Sequence, residues 1–157
     1  MRKRLITPTQ EAVRPSGEGW LDVERAAVFE FTSEDKDYPL ECAFISGEAR
    51  GWRAAVPGSQ TIRLVFDQPQ RLKLISLVFE ENDVARTQEF VLRWSPDGGM
   101  SSKEIVRQQW NFSPSKTTRE VEEYQVELSN VTVLELIITP SVSGGAARAS
   151  LKSMRLS

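Results

Sequence analysis

The 157-residue sequence predicts an all-β domain of about eight strands, and three observations carry that prediction. Short segments of β-branched and apolar residues alternate with a period of two, clusters of turn residues separate them, and no stretch joins helix caps to an apolar stripe at i, i+3, i+4, i+7. Their spacing is that of a sandwich or barrel.

Residues 1–19 carry Pro8, Pro15 and Gly17 without a sustained period and read as an N-terminal extension, leaving 20–157 as the domain. A first strand falls within 23–31. Over 61–66, Ile62, Leu64 and Phe66 point one way while Thr61, Arg63 and Val65 point the other. Gln68-Pro69-Gln70 interrupts the pattern, and 72–79 follows with apolar residues on both faces, as in a central strand. Phe90, Leu92 and Trp94 alternate with Val91 and Arg93. Ser95-Pro96-Asp97-Gly98-Gly99 then supplies a tight turn, so that 105–112 returns as the second arm of a hairpin. Tyr124, Val126 and Leu128 share one strand face, Leu134, Leu136 and Ile138 mark another strand, and 149–156 closes the sheet. Trp20 and Trp94, set among alternating apolar residues, are assigned to packing.

Composition narrows the function. Twenty Lys and Arg stand against 22 Asp and Glu, a net charge of -2, so no global positive field gathers phosphates and nucleic acid is not expected as a partner. Cys42 is the single cysteine; it cannot close an intramolecular disulfide, which suits a reducing compartment. The absence of histidine removes the usual base for a cysteine or serine nucleophile. Neither a P-loop nor a dinucleotide fingerprint occurs. Glu80/Glu81 and Glu122/Glu123 are adjacent residues that a strand would point to opposite faces, so no acid/base pair emerges and no enzymatic activity is expected. Met1-Arg2-Lys3-Arg4 is followed by Thr7, Pro8, Thr9, Gln10 and Glu11 rather than an apolar run. A cytoplasmic location with no membrane partner is the resulting expectation.

Several pieces occur in an ordered set. They are Gly51-Trp52-Arg53-Ala54 before a strand, Thr61-Ile62-Arg63-Leu64-Val65-Phe66, and Phe90-Val91-Leu92-Arg93-Trp94-Ser95-Pro96-Asp97-Gly98. Phe112 before a polar loop, Leu134-Glu135-Leu136-Ile137-Ile138-Thr139-Pro140 and Ala149-Ser150-Leu151 follow. This order resembles the discoidin or coagulation-factor (F5/8) type C domains, within the galactose-binding-like jelly rolls, and related bacterial carbohydrate-binding modules. The resemblance implies an eight-stranded antiparallel jelly-roll sandwich with ligand loops gathered at one end. It also implies a non-catalytic module that binds a carbohydrate or another small polar ligand; the alternative is a cytoplasmic scaffold domain that binds a protein partner.

Three features depart from that family. Its framing disulfide is absent, and so is the Arg of its penultimate strand over 133–140. Its Ala-x-Asp-Gly turn, whose Asp helps to hold a structural calcium, aligns with Ala43-Phe44-Ile45-Ser46. Ile45 offers no side-chain oxygen, although Glu41, Glu48 and backbone carbonyls could compensate. No cofactor is expected, and structural calcium is not favoured.

A sugar site needs an aromatic face beside planar groups that make fixed hydrogen bonds to hydroxyls. The resemblance directs attention to the loops at 33–53 and 79–90. Trp52 with Arg53 is one candidate pair, with the competing reading that Trp52 plugs the barrel and Arg53 satisfies backbone carbonyls. Glu80, Glu81, Asn82 and Arg86, with Asp83, form either a recognition loop or a solvated turn. Trp110 is a stacking platform if its register turns it outward, and core otherwise.

Overall fold

The computed structural model describes residues 19–45, 47 and 50–157; the N-terminal extension, Gly19 apart, lies outside them, as do Ser46 and Glu48. Eight strands occur among the described residues: β1 (Ala27–Phe31), β2 (Trp52–Arg53), β3 (Gln60–Glu80), β4 (Arg86–Ser95), β5 (Lys103–Phe112), β6 (Arg119–Thr139), β7 (Ser150–Leu151) and β8 (Ser153–Leu156). Two single-turn helices join them, α1 (Val23–Ala26) and α2 (Glu41–Phe44). Every strand pairing is antiparallel.

The long strands β3 and β6, each of 21 residues, give the sandwich its form. One layer runs β1-β3-β6-β4-β5 and uses the first part of β3 and the last part of β6. In the other layer the second part of β3 lies between β8 and the first part of β6. The step between layers is visible as register shifts in β3 between Val65 and Leu74, and in β6 at Asn130, whose φ of 59° is a left-handed value that asparagine tolerates. The Gln68-Pro69-Gln70 interruption is therefore a bend inside one strand. Likewise 124–128 and 134–138, read above as two strands, are halves of β6.

Period-two alternation supplies the core. Ile62 and Leu64 of one layer and Leu72, Ile75, Leu77 and Phe79 of the other are fully buried, with Phe90, Leu92, Leu134, Leu136 and Ile138. Phe79 meets Phe90 between the layers with ring centroids 5.1 Å apart. Each such side chain contributes about 1.5–3 kcal/mol relative to exposure. Trp94 packs half-buried against this core, with the Lys103 ammonium 5.5 Å from its ring centroid.

The hairpin turn forms as its residues require. Asp97 accepts hydrogen bonds from Ser101 N (2.8 Å), Ser101 Oγ (2.6 Å) and Ser95 Oγ (2.7 Å), which hold its carboxyl down at about 2. Gly98 and Gly99 take the positive φ values that close the turn.

Candidate functional site

Trp52 and Arg53 form β2, a two-residue strand paired with β7. Its approach depends on Gly51: a Cβ there would lie 2.7 Å from Leu151 O and 2.9 Å from Lys152 Cα, and φ is +75°. Beside β2 the chain leaves β3 at Glu80 and turns through Glu81, Asn82 and Asp83. The 148–152 segment completes the group. Together with Tyr38 and Arg50, these segments line a cleft of about 370 Å³ that holds Trp52, Arg53, Glu80, Glu81, Asn82, Asp83, Arg148 and Lys152. Five of the seven sequence candidates are thus brought to one place.

Their roles differ. Trp52 is 1% exposed and its Nε1 donates to Ser33 O at 3.0 Å, so its ring is a core plug and offers no face to a sugar. Arg53 is half-exposed; its guanidinium stacks 4.0 Å from the Tyr38 ring centroid and its Nη2 reaches Asp35 Oδ2 at 3.4 Å. Arg148 Nη1 reaches the same oxygen at 3.4 Å. Asp35 is held below the usual carboxylate range first by the Asp37 N–H and then by these two arginines, against the opposing effect of burial. On the other wall Glu80 lies 3.9 Å from Lys152 Nζ and accepts from Asn82 Nδ2 at 3.4 Å.

Arg86 corrects the sequence reading. It is the first residue of β4 rather than part of the loop, and its side chain is 2% exposed. Nε donates to Glu81 Oε1 at 2.7 Å, Nη1 donates to Pro140 O at 2.7 Å and Gln88 Oε1 at 3.1 Å, and the guanidinium lies over Phe112. Arg86 holds the cleft wall from behind and is not among the residues lining the cleft. Burial works to raise the Glu81 carboxyl, but the Arg86 hydrogen bond, the Asp83 N–H and the Arg86 charge outweigh it and hold Glu81 low. Trp110 takes the core-facing of its two readings. On β5, opposite Gln88, it packs half-buried against the core with Nε1 enclosed, and it is not among the residues lining the cleft.

Tyr38, Arg148 and Lys152 were missed because they come from segments distant in sequence with no motif of their own. A second omission lies between the layers. Glu120 and Glu122, two apart on β6, share the inward face, where Glu120 is fully buried and accepts from Gln88 Nε2 at 3.3 Å. Burial, then the hydrogen bond and charge of Glu122, push Glu120 up to about 8. Same-face spacing at i, i+2 on one strand is the sequence signal of this pair.

A second cleft, of about 440 Å³, lies on the outer face of the five-stranded layer. There Glu30, Arg63, Glu135 and Arg93 stand in one cross-strand row. Arg63 pairs with Glu30 at 2.9 Å and Glu135 at 2.7 Å, and Arg93 donates to Ser102 Oγ. Glu30, Arg63 and Glu135 of this row are thus paired with one another.

Among the described residues, the 43–45 turn does not offer the calcium site that the resemblance raised. Ala43 and Phe44 belong to α2, and the carbonyls of Ala43 and Ile45 accept from Arg155 Nη1 (3.1 Å) and Nη2 (3.2 Å). A guanidinium therefore already occupies both acceptors, and burial lowers the pKa of Arg155. Arg155→Ala is expected to cost about 1–2 kcal/mol, a few degrees of Tm, while a chelator leaves the wild-type Tm unchanged. Scanning calorimetry with and without chelator checks this; a drop of several degrees on chelation would show that a metal is bound.

No protein-family model and no curated protein sequence matches the chain. Solved structures share its fold. A family 32 carbohydrate-binding module from a family 31 glycoside hydrolase of Clostridium perfringens aligns at TM-score 0.64 and 16% identity, covering 92% of this chain and 98% of that one. A second Clostridium perfringens family 32 module, solved in complex with GalNAc-β-1,3-galactose, aligns at TM-score 0.61 and 18% identity, covering 88% and 99%. A pectin-binding carbohydrate-binding module aligns at TM-score 0.59 and 14% identity, covering 83% and 89%. The fold is therefore the galactose-binding-like jelly roll of these modules.

Proposed function

We propose that this chain is a non-catalytic carbohydrate-binding module and that it binds glycan in the cleft between β2, the 80–83 turn and the 148–152 segment. The observation that carries this reading is the convergence of planar hydrogen-bonding groups, Arg53, Glu80, Asn82 and Arg148, around one opening at the end of a fold shared with sugar-binding domains. Hydroxyl recognition requires such fixed donors and acceptors. Arg53 is held by stacking on Tyr38, and the 80–83 turn is tied to the scaffold through Glu81 and Arg86, so the groups are organised before a ligand arrives.

A glycan array followed by calorimetric titration tests the proposal. At least one glycan is expected to bind, and Asn82→Ala is expected to weaken it by about 1 kcal/mol or more with stability changed by less than about 0.5 kcal/mol. A folded protein that binds nothing on a broad array would refute the reading.

A further inference from the structure

Resting on that reading of the cleft, we infer that its ligands are acidic glycans, with a ring carboxylate of the uronic acid type seated between Arg53 and Arg148. The inference comes from how those two side chains are partnered. Arg53 Nη2 and Arg148 Nη1 both turn to a single oxygen, Asp35 Oδ2, each at 3.4 Å. The other oxygen of Asp35 accepts the Asp37 N–H at 2.9 Å. Well-formed guanidinium–carboxylate hydrogen bonds are shorter, about 2.7–2.9 Å, and commonly bidentate. One oxygen shared at long range between two guanidiniums, each with five N–H donors, leaves this wall with more positive charge and more donors than Asp35 can use.

The two guanidiniums are also placed to receive an anion. The Arg53 side chain is 41% exposed and Arg148 45% exposed, yet both are anchored. Arg53 lies over the Tyr38 ring, an arrangement that leaves the N–H edge of the guanidinium available for in-plane bonds. Arg148 sits in a bridge to Gly58 next to the buried Ala149. A planar carboxylate is the shape that such forks recognise.

The opposite wall does not cancel this charge. Glu81 is committed to Arg86 and to the backbone N–H groups of Asp83 and Val84, and Glu80 lies beside Lys152 and Asn82. Those acids can accept sugar hydroxyls while their charge is offset locally. Arg53 and Arg148 thus stand on one wall of the cleft, and Glu80 and Glu81 on the other are offset by their own partners.

The test is titration of the full chain with a galacturonic acid oligomer and with the same oligomer as its methyl ester, in which the ring is retained and the charge removed. The acid form is expected to bind at least about tenfold tighter at low salt, and the ratio should shrink as salt rises to about 0.5 M. Arg148→Ala, at an exposed position where the fold should be retained, is expected to collapse the ratio toward one. An ester that binds as well as the acid, or an acid preference that survives Arg148→Ala, would overturn the inference. If neutral glycans bind and neither oligomer does, the inference falls and the cleft remains a glycan site; if no glycan of either kind binds, both fall.

Discussion

Replacing Arg86 with alanine is expected to lower folding stability by about 3–5 kcal/mol, the range for breaking a buried ion pair from one side, and to lower Tm by roughly 10 °C. Its guanidinium is nearly inaccessible and holds three acceptors from different parts of the chain: Glu81 in the cleft turn, Gln88 on β4 and the carbonyl of Pro140 after β6. Truncation leaves Glu81 without its counter-charge and the other two acceptors without donors, and removes packing above Phe112. The 80–83 wall loses its anchor in the same step, so weaker glycan binding should accompany the lower Tm. Urea and thermal unfolding measure the effect. An unchanged Tm would show that Arg86 stands in solvent.

The second large effect is on pH dependence. Folded Glu120 keeps its proton up to about 8, against a usual value of 4.5. Between those values the native state binds more protons than the unfolded chain, so stability falls as pH rises. The contribution is complete below about 4.5 and is lost as pH passes about 8. Glu120→Gln keeps the shape and removes the titration. At pH 9 it should be more stable than wild type by on the order of 2 kcal/mol or more, each pKa unit corresponding to about 1.4 kcal/mol. Urea unfolding at pH 5, 7 and 9 gives the comparison; a variant whose stability follows the wild-type slope would contradict it.

Much of the fold was legible because inward residues keep a period of two that burial enforces. Ile62, Leu64 and Phe66 were read as one face and are buried, as are Leu134, Leu136 and Ile138. The continuity of the strands was not legible. Gln68-Pro69-Gln70 has the composition of a loop, and only pairing with β6 on both sides of the bend makes it part of β3. The single turns α1 and α2 are too short to show a helical period.

The candidate site was half legible. Local polarity located the 80–83 turn, and the Gly51-Trp52-Arg53 segment came with the family resemblance. Which side chain faces outward depends on tertiary contacts that sequence does not display: Trp52 turns inward to Ser33, and Arg86 follows its strand into the interior while Arg53 stays at the surface. Arg148 and Asp35 lie 113 residues apart, and nothing local marks either as a partner of Arg53. Arg155 on β8 likewise reaches the α2 segment only through the closed sandwich.

The most direct measurement of where this domain binds is a residue-by-residue NMR titration of the isotope-labelled chain with the strongest ligand from the glycan array. Amide shifts are expected to concentrate at Tyr38, Arg53, Asn82, Arg148 and Lys152, with the outer-face row of Glu30, Arg63, Arg93 and Glu135 unmoved. Shifts confined to that outer face, or a saturating titration that leaves the cleft residues unchanged, would contradict the assignment of the cleft as the glycan site.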